Sequence, residues 1–463
     1  MSGKPYDESS LISIYEYALN LENRNLSELI KADTLFSNSS HRGDLGRLLE
    51  EFYFNHVPPN DHNPDFLKAN LELKTTGVIY NSKKELKAKE RLVLSLINYS
   101  KICDETWEIS TFINKNNTIL LLFYLFEKNK SSIERIFILK PLLILIDSDL
   151  KPRTKSEIDF IKSNGIIISS NDLEVIKKDW EIIQSFVLQG RAHELSEGDT
   201  FYLGACRKGS GGPKESLQAQ PYSDIKAKTR AFSFKQSYIS KLVTVHSGNE
   251  ASIGVRHGEN LVDTTMLKFK PFLGKNVKEI EKMLSISGAE SKQKNYLRLL
   301  ANKMLTNKNN EVLELSKAGV EMKTIRLKKN GKPRESMSFP GFKYMEIIHE
   351  TWEDSKFYEK LERKFLFVIF KEDEFGNDVF LKAAYWNMPY QDRLEAQKVW
   401  ERTKKQVAVD ASKLPKIGDS YVAHVRPKAR NAKDKILTPQ GNYQIKPCFW
   451  LNNSYIEKVI TNL

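Results

Sequence analysis

Two carboxylates and an amine stand close together in one short stretch, Asn63 to Lys74, which reads NPDFLKANLELK. Pro64-Asp65 is followed, after six residues, by Glu72-Leu73-Lys74. In a strand, side chains alternate between faces, so Glu72 and Lys74 share one face while Leu71 and Leu73 share the other. The apolar pair can be buried while the polar pair faces a cleft, and a turn that brings Asp65 alongside makes two carboxylates and one ammonium converge. Two hard oxygen ligands suit Mg2+, which binds few carboxylates and fills its other positions with water and phosphate oxygens. A lysine beside them can steer an attacking water and neutralise developing charge, chemistry that would suit hydrolysis at phosphorus. The same spacing also occurs in ordinary amphipathic strands, and the rest of the chain decides between the two readings.

The elements that must position these groups are readable nearby. Asp44 to Phe54 places Leu45, Leu48, Leu49 and Phe52 at i, i+3, i+4 and i+7, a helical face from whose flank Glu50 projects. A basic segment, Lys83 to Arg91, leads into an apolar run, Leu92 to Ile97, read as a strand. Then come Asp104-Glu105-Thr106-Trp107-Glu108, a turn at Lys115-Asn116-Asn117 and a strand from Ile119 to Phe126. Leu173 to Gln189 has the spacing of a helix. A strand around Phe201-Tyr202-Leu203 ends at Cys206-Arg207-Lys208, before a Gly/Ser loop, GSGGPKES. Trp107 and Trp352 read as core residues.

At 463 residues the chain exceeds the usual size of one hydrophobic core, so two domains are expected. The apolar runs Ile119 to Phe126 and Pro141 to Ile146 are too short to span a bilayer and read as buried strands. The start, MSGKPYDESS, shows no export signal, and three scattered cysteines, Cys103, Cys206 and Cys448, fit neither a zinc site nor a disulfide framework. A cytoplasmic protein without membrane contact is the expectation. A net charge of +13 suits a polyanionic partner, though a lysine-rich composition alone would produce it.

The second half repeats the first in order. Leu297 to Ala301 echoes Gly46 to Glu50, Val320 to Thr324 echoes Leu71 to Thr75, and Glu350 to Ser355 echoes Glu105 to Ser110. Tyr421 to Lys428 echoes Tyr202 to Lys208, and Cys448 to Tyr455 echoes Ala231 to Tyr238. Two copies of one domain, 1–245 and 265–463, joined by a polar linker over 246–264, explain this pattern. The copies differ where chemistry would sit: Glu50 becomes Ala301, and Asp65 becomes Glu314, seven residues before Glu321. Losing one carboxylate and lengthening another loosens a metal site, so the second copy is expected to bind rather than cut. Glu321 and Lys323 remain, which leaves residual activity there as an open question.

With GRLLE, PDx6ELKT, ETWExS and IKKDWEIIQSFVLQGRAHE in order in the first half, and VRPKARNAK in the second, the chain resembles the MutH-like endonucleases. Within the PD-(D/E)xK superfamily it is most similar to the Sau-type restriction enzymes that cut GATC. The resemblance implies an α/β fold of mixed α+β type, with two tandem MutH-like restriction-endonuclease units, each a mixed sheet flanked by helices. It implies that the first unit cleaves double-stranded DNA before the G of GATC with Mg2+, and that the second is a regulatory DNA-binding copy able to engage a further site. Products would carry 5′-phosphate and 3′-hydroxyl ends. Asp65 and Glu72 become metal ligands, Lys74 the catalytic lysine, Glu50 a support for the metal or its water, and Lys115 a further active-site lysine. Glu90 matches a groove-loop residue that reads bases. Lys208 keeps the recognition run's lysine while Arg207 stands one place from its arginine, and Arg426-Pro427-Lys428 keeps the run intact. Lysine or arginine donating to guanine O6 and N7 is the physical reason such residues specify a G-containing site.

Other readings remain. A nucleotide-binding loop at Gly204 to Gly212 lacks the G-x-x-x-x-G-K-[ST] run. A GATC-binding protein without cleavage and a mismatch-repair-type nickase stay open. One nuclease site makes one cut, so a double-strand break calls for two chains on the DNA or two successive nicks.

Overall fold

The computed structural model describes residues 4–30, 45–56, 63–208, 216–244, 253, 260–286, 295–306, 312–428, 431 and 433–463. Residues 209–215 of the Gly/Ser loop lie outside the described residues, as does most of the 246–264 connection.

In the first half the strands are β1 Glu72–Tyr80, β2 Leu86–Ala88, β3 Leu92–Leu96, β4 Thr118–Leu125, β5 Leu142–Leu145 and β6 Gly165–Ile167, then β7 Leu203–Arg207, β8 Leu217–Gln220, β9 Ser223–Lys228 and β10 Arg230–Phe234. The second half has β11 Glu321–Leu327, β12 Met337–Gly341, β13 Phe365–Glu372, β14 Asp378–Trp386, β15 Ala423–Pro427, β16 Lys435–Leu437, β17 Tyr443–Ile445 and β18 Pro447–Leu451. Each half builds a mixed sheet, β2-β1-β4-β5-β6 or β11-β13-β14, and a separate antiparallel sheet, β3-β10-β7 or β12-β18-β15. The halves are tandem copies of one topology. In each, the E-x-K strand lies parallel to the next long strand, Glu72 opposite Ile119 and Glu321 opposite Phe365.

Strand alternation explains how the cores are divided. Along β4, Leu120, Leu122 and Tyr124 enter a cluster with Leu71, Leu73 and Leu49, whereas Ile119, Leu121 and Phe123 enter one on the opposite face. Along β13, Phe365, Phe367 and Ile369 face a cluster of the second half, while Leu366, Val368 and Phe370 enter the same cluster as Ile119. That shared cluster runs through both halves. Trp107 and Trp352 are buried. Among the described residues no helix is long and apolar enough to cross a membrane. The three cysteines are free thiols.

Several expectations need correction. The helix read over Asp44 to Phe54 is an α-helical turn, Leu45–Leu48, followed by a π-helix, Leu49–Tyr53, in which Phe54 N–H donates to Leu49 O at 2.9 Å. Lys115 lies not in a turn but in the last turn of a helix, Thr111–Asn116, started by the Ser110 side chain capping Ile113 N–H. Within the linker, Ile253 is buried and a helix, Leu261–Phe269, has already begun.

Candidate active site

The site forms where β1 begins. Phe66 and Leu71 pair across a tight turn, which folds Asp65 back onto the strand. Leu73 N–H donates to Asp65 Oδ2 at 2.9 Å, and Asp65 N–H donates to Glu72 Oε2 at 3.1 Å. Asp65 is 5% exposed and Glu72 not at all, so both carboxylates have left bulk water. Lys74, two residues along on the same face, contacts Glu72 Oε1. From the C-terminal end of the Ser110-capped helix, Lys115 Nζ reaches the same oxygen at 3.7 Å.

Burial pushes the Glu72 carboxyl up to about 7; Lys74 opposes the shift, the Asp65 charge adds to it and Lys115 opposes it. Two acids near enough to repel, in a dry pocket, gain from a divalent cation between them. The donor set, carboxylate oxygens without imidazole or thiolate, is that of a hard ion such as Mg2+. Among the described residues Asp65 Oδ1 carries no hydrogen bond and is available to an incoming ligand. The fit is therefore good for Asp65 and Glu72. Glu50 sits half-buried in the π-helix, directly after the α-helical turn Leu45–Leu48 that packs against β1. Among the described residues no three carboxylate, imidazole or thiolate side chains gather closely enough to share an ion, so Glu50 does not join the pair.

The second half keeps part of this arrangement. Lys323 Nζ lies 2.7 Å from Glu321 Oε1 and Lys360 Nζ 3.4 Å from its Oε2. Lys360 was missed from the motif, although it stands five residues after Ser355 as Lys115 stands five after Ser110. Ser355 caps its helix, Lys356–Leu361, through Tyr358 N–H and donates to Trp352 O, as Ser110 does to Trp107 O. Among the described residues the acid partner is absent. Glu314 lies not in a turn beside the strand but in a helix, Leu313–Ala318, and its carboxylate accepts from Ile253 N–H at 2.9 Å. Burial works to raise Glu321, but Lys323, Lys360 and Arg363 outweigh it and hold its carboxyl below the ordinary glutamate value. A glutamate already neutralised by lysines makes little demand for a metal ion.

The expected DNA-facing residues divide. Glu90 is exposed in the loop between β2 and β3, and Lys208 is exposed at the end of β7. Arg207 differs from expectation: its guanidinium lies 4.9 Å from the Tyr358 ring centre and Nη2 donates to Glu353 O at 3.4 Å, so it joins the two halves. Arg426 is exposed with its guanidinium 4.0 Å over the Trp450 ring, and Lys428 Nζ donates to Ser338 Oγ and Phe339 O, both at 3.0 Å. The rest of the VRPKARNAK run lies partly outside the described residues.

Comparison with known proteins fits this geometry. The family model of the DNA mismatch repair enzyme MutH matches residues 54–159 and 304–397. The two matches hold Asp65, Glu72, Lys74 and Lys115 on one side and Glu321, Lys323 and Lys360 on the other. Over an alignment of 508 positions the chain is 32% identical to a type II restriction enzyme of Staphylococcus aureus, Sau3AI, covering 97% of this chain and 98% of that one. With the acid pair and its lysines in the first copy and the same scaffold repeated in the second, the chain belongs to the MutH-like, Sau3AI-type restriction endonucleases.

Proposed function

We propose that the chain cuts double-stranded DNA at GATC, before the G, by Mg2+-dependent hydrolysis in its first copy, residues 1–245, while the second, 265–463, binds DNA and regulates. The observation that carries this reading is the convergence of Asp65, Glu72, Lys74 and Lys115 at the start of β1, against a second site where Glu314 turns to Ile253 instead. Asp65 and Glu72 hold the ion. Bound there, Mg2+ supplies Lewis-acid stabilisation of phosphate charge and an acidified water. Lys74, fixed against Glu72, orients the attacking water and offsets charge as the phosphate passes through its transition state. Lys115 adds positive charge at the same Glu72 oxygen, and Glu50 supports the metal or its water. Exposed Lys83 and Lys84 and half-buried Lys87 neutralise backbone phosphates, while Glu90 and Lys208 meet base edges.

Specificity for GATC rests on the similarity to the Sau-type enzymes and on the retained Arg426-Pro427-Lys428 run. One nuclease site makes one cut, so a double-strand break uses two chains on the DNA or two successive nicks. The second copy's Arg426 and Lys428 engage a further DNA site before cutting; equal cleavage of one-site and two-site plasmids at equal site concentration would argue against that step. The central test incubates the chain with Mg2+ and unmethylated plasmid, beside Asp65→Ala, and sequences the ends. Breaks before GATC that vanish in the variant are the expected result. Intact but gel-shifted DNA would make the protein a binder, nicks alone would make it a nickase, and cleavage surviving Asp65→Ala would move the active site to Glu321 and Lys323.

A further inference from the structure

The loop after β5 carries two cations that no motif singles out. The Arg153 side chain is 7% exposed. Its Nη1 donates to Ala69 O at 2.8 Å and to Glu157 Oε1 at 2.9 Å, and its Nη2 to Asn70 O at 2.6 Å and Thr118 Oγ1 at 2.9 Å. Lys151 Nζ donates to Asn70 Oδ1 at 3.1 Å, to Asn114 O at 2.8 Å and to Asn114 Oδ1 at 2.7 Å. The acceptors lie on both sides of the nuclease site. Ala69 and Asn70 end the turn between Asp65 and Glu72, Thr118 opens β4 beside Glu72, and Asn114 precedes Lys115. Asn70 has φ 49°, a left-handed conformation that costs energy unless its surroundings fix it.

The second copy supplies the contrast. There β14 passes through Asn387-Met388-Pro389 directly into a helix, Tyr390–Val409, with no counterpart of the 147–164 segment. The residues before β11 are the helix Leu313–Ala318, which ends at Gly319, instead of a turn that carries an acid back to the strand. The copy with the acid pair has the clamp, and the copy without the pair lacks it.

We propose that Arg153, assisted by Lys151, is a positioning residue of the nuclease site: by gripping two successive carbonyls of the turn it sets Asp65 against Glu72 and so fixes the pair's affinity for a divalent cation. This rests on the reading of Asp65 and Glu72 as the metal pair. A planar guanidinium can hold two carbonyls at once, whereas an ammonium in its place keeps the charge but not the fork. The sign of the effect separates positioning from simple electrostatics. Removing a nearby positive charge tightens cation binding by Coulomb's law, while loosening the turn weakens it.

The test titrates Mn2+ onto the metal-free full chain by electron paramagnetic resonance, with Asp65→Ala giving the baseline of unspecific sites. The Mg2+ dependence of cleavage and DNA affinity in EDTA are measured alongside. Arg153→Ala and Arg153→Lys are expected to weaken Mn2+ binding by roughly tenfold or more, the range in which outer-sphere supports act. Lys151→Met should weaken it less. The Mg2+ half-saturation for cleavage should rise in parallel while DNA affinity in EDTA stays unchanged. If Arg153→Ala does not fold, Arg153→Lys and Lys151→Met carry the test. Mn2+ binding equal to or tighter than wild type in the folded Arg153 variants overturns the positioning role. Asp65→Ala that binds Mn2+ and cuts like wild type instead removes the metal pair itself, and the inference with it.

Discussion

Lys115 and Lys360 occupy the same place in their two copies: each ends a serine-capped helix and reaches the glutamate that begins the neighbouring strand, Glu72 at 3.7 Å and Glu321 at 3.4 Å. The scaffold that delivers a second lysine is therefore present in both copies, whereas among the described residues the acid pair is present only in the first. What separates the copies is the segment before the strand. A tight turn brings Asp65 to Glu72, and a helix sends Glu314 to Ile253.

This difference predicts unequal consequences for equivalent changes. Glu72→Gln should slow cleavage of a GATC duplex by about a thousandfold or more, the scale of losing a member of a catalytic unit. Glu321→Gln should leave single-turnover cleavage of a short duplex unchanged, because among the described residues no second acid stands beside Glu321. Matched losses in the two variants, measured by quench-flow, would show that both copies cut.

The capping serines offer a finer comparison. Ser110→Ala and Ser355→Ala each remove a helix N-cap and should each cost about 1 kcal/mol of stability. Only Ser110→Ala should also reduce the cleavage rate, since Lys115 rides on that helix. Denaturant melts and cleavage rates of both variants check this, and a Ser355→Ala enzyme as slow as Ser110→Ala would count against it.

The acid pair and its lysine were legible in the sequence because they are local: ten residues and the two-residue period of a strand suffice to gather Asp65, Glu72 and Lys74. The repeat was legible because both copies keep the Trp-containing motif and its capping serine. Glu314 was misplaced because spacing from Glu321 cannot distinguish a turn from a helix, although Leu313, Leu315 and Ala318 followed by Gly319 carry the signals of a helix and its left-handed end. The place of Arg207 against Tyr358 was not legible because the packing of the halves, not its own strand, sets its direction. Arg153 left no trace, since its partners lie 83 and 84 residues away in sequence.

Adjacent residues at the end of β7 should behave differently. Lys208→Ala should weaken DNA binding and lower the salt dependence of affinity by about one counterion. Arg207→Ala should leave that slope unchanged but reduce stability by about 1 kcal/mol, through loss of its stacking on Tyr358. Fluorescence anisotropy across a salt series, with melts of both variants, separates the two roles. A reduced salt slope for Arg207→Ala would place it on the DNA after all.

The buried Glu72 carboxyl ties the site to stability. Its folded-state value of about 7 lies above the ordinary glutamate value of 4.5 because burial disfavours the charged form. Below 4.5 the carboxyl is protonated in both states and costs nothing. As the pH rises towards 7 the unfolded chain releases the proton while the folded one retains it, so stability falls, and above 7 the cost levels off at up to about 3 kcal/mol. Glu72→Gln is neutral throughout, so the metal-free variant should melt higher than wild type at pH 8, with the gap closing towards pH 5. Saturating Mg2+ should raise the wild-type melting temperature and leave the variant's unchanged, because bound cation stabilises only a fold that keeps both acids. Calorimetric melts at the two pH values, with and without Mg2+, test both halves of this expectation. A gap that stays constant with pH would mean that Glu72 is not strained by its burial, and an equal Mg2+ response in the variant would take Glu72 out of the metal site.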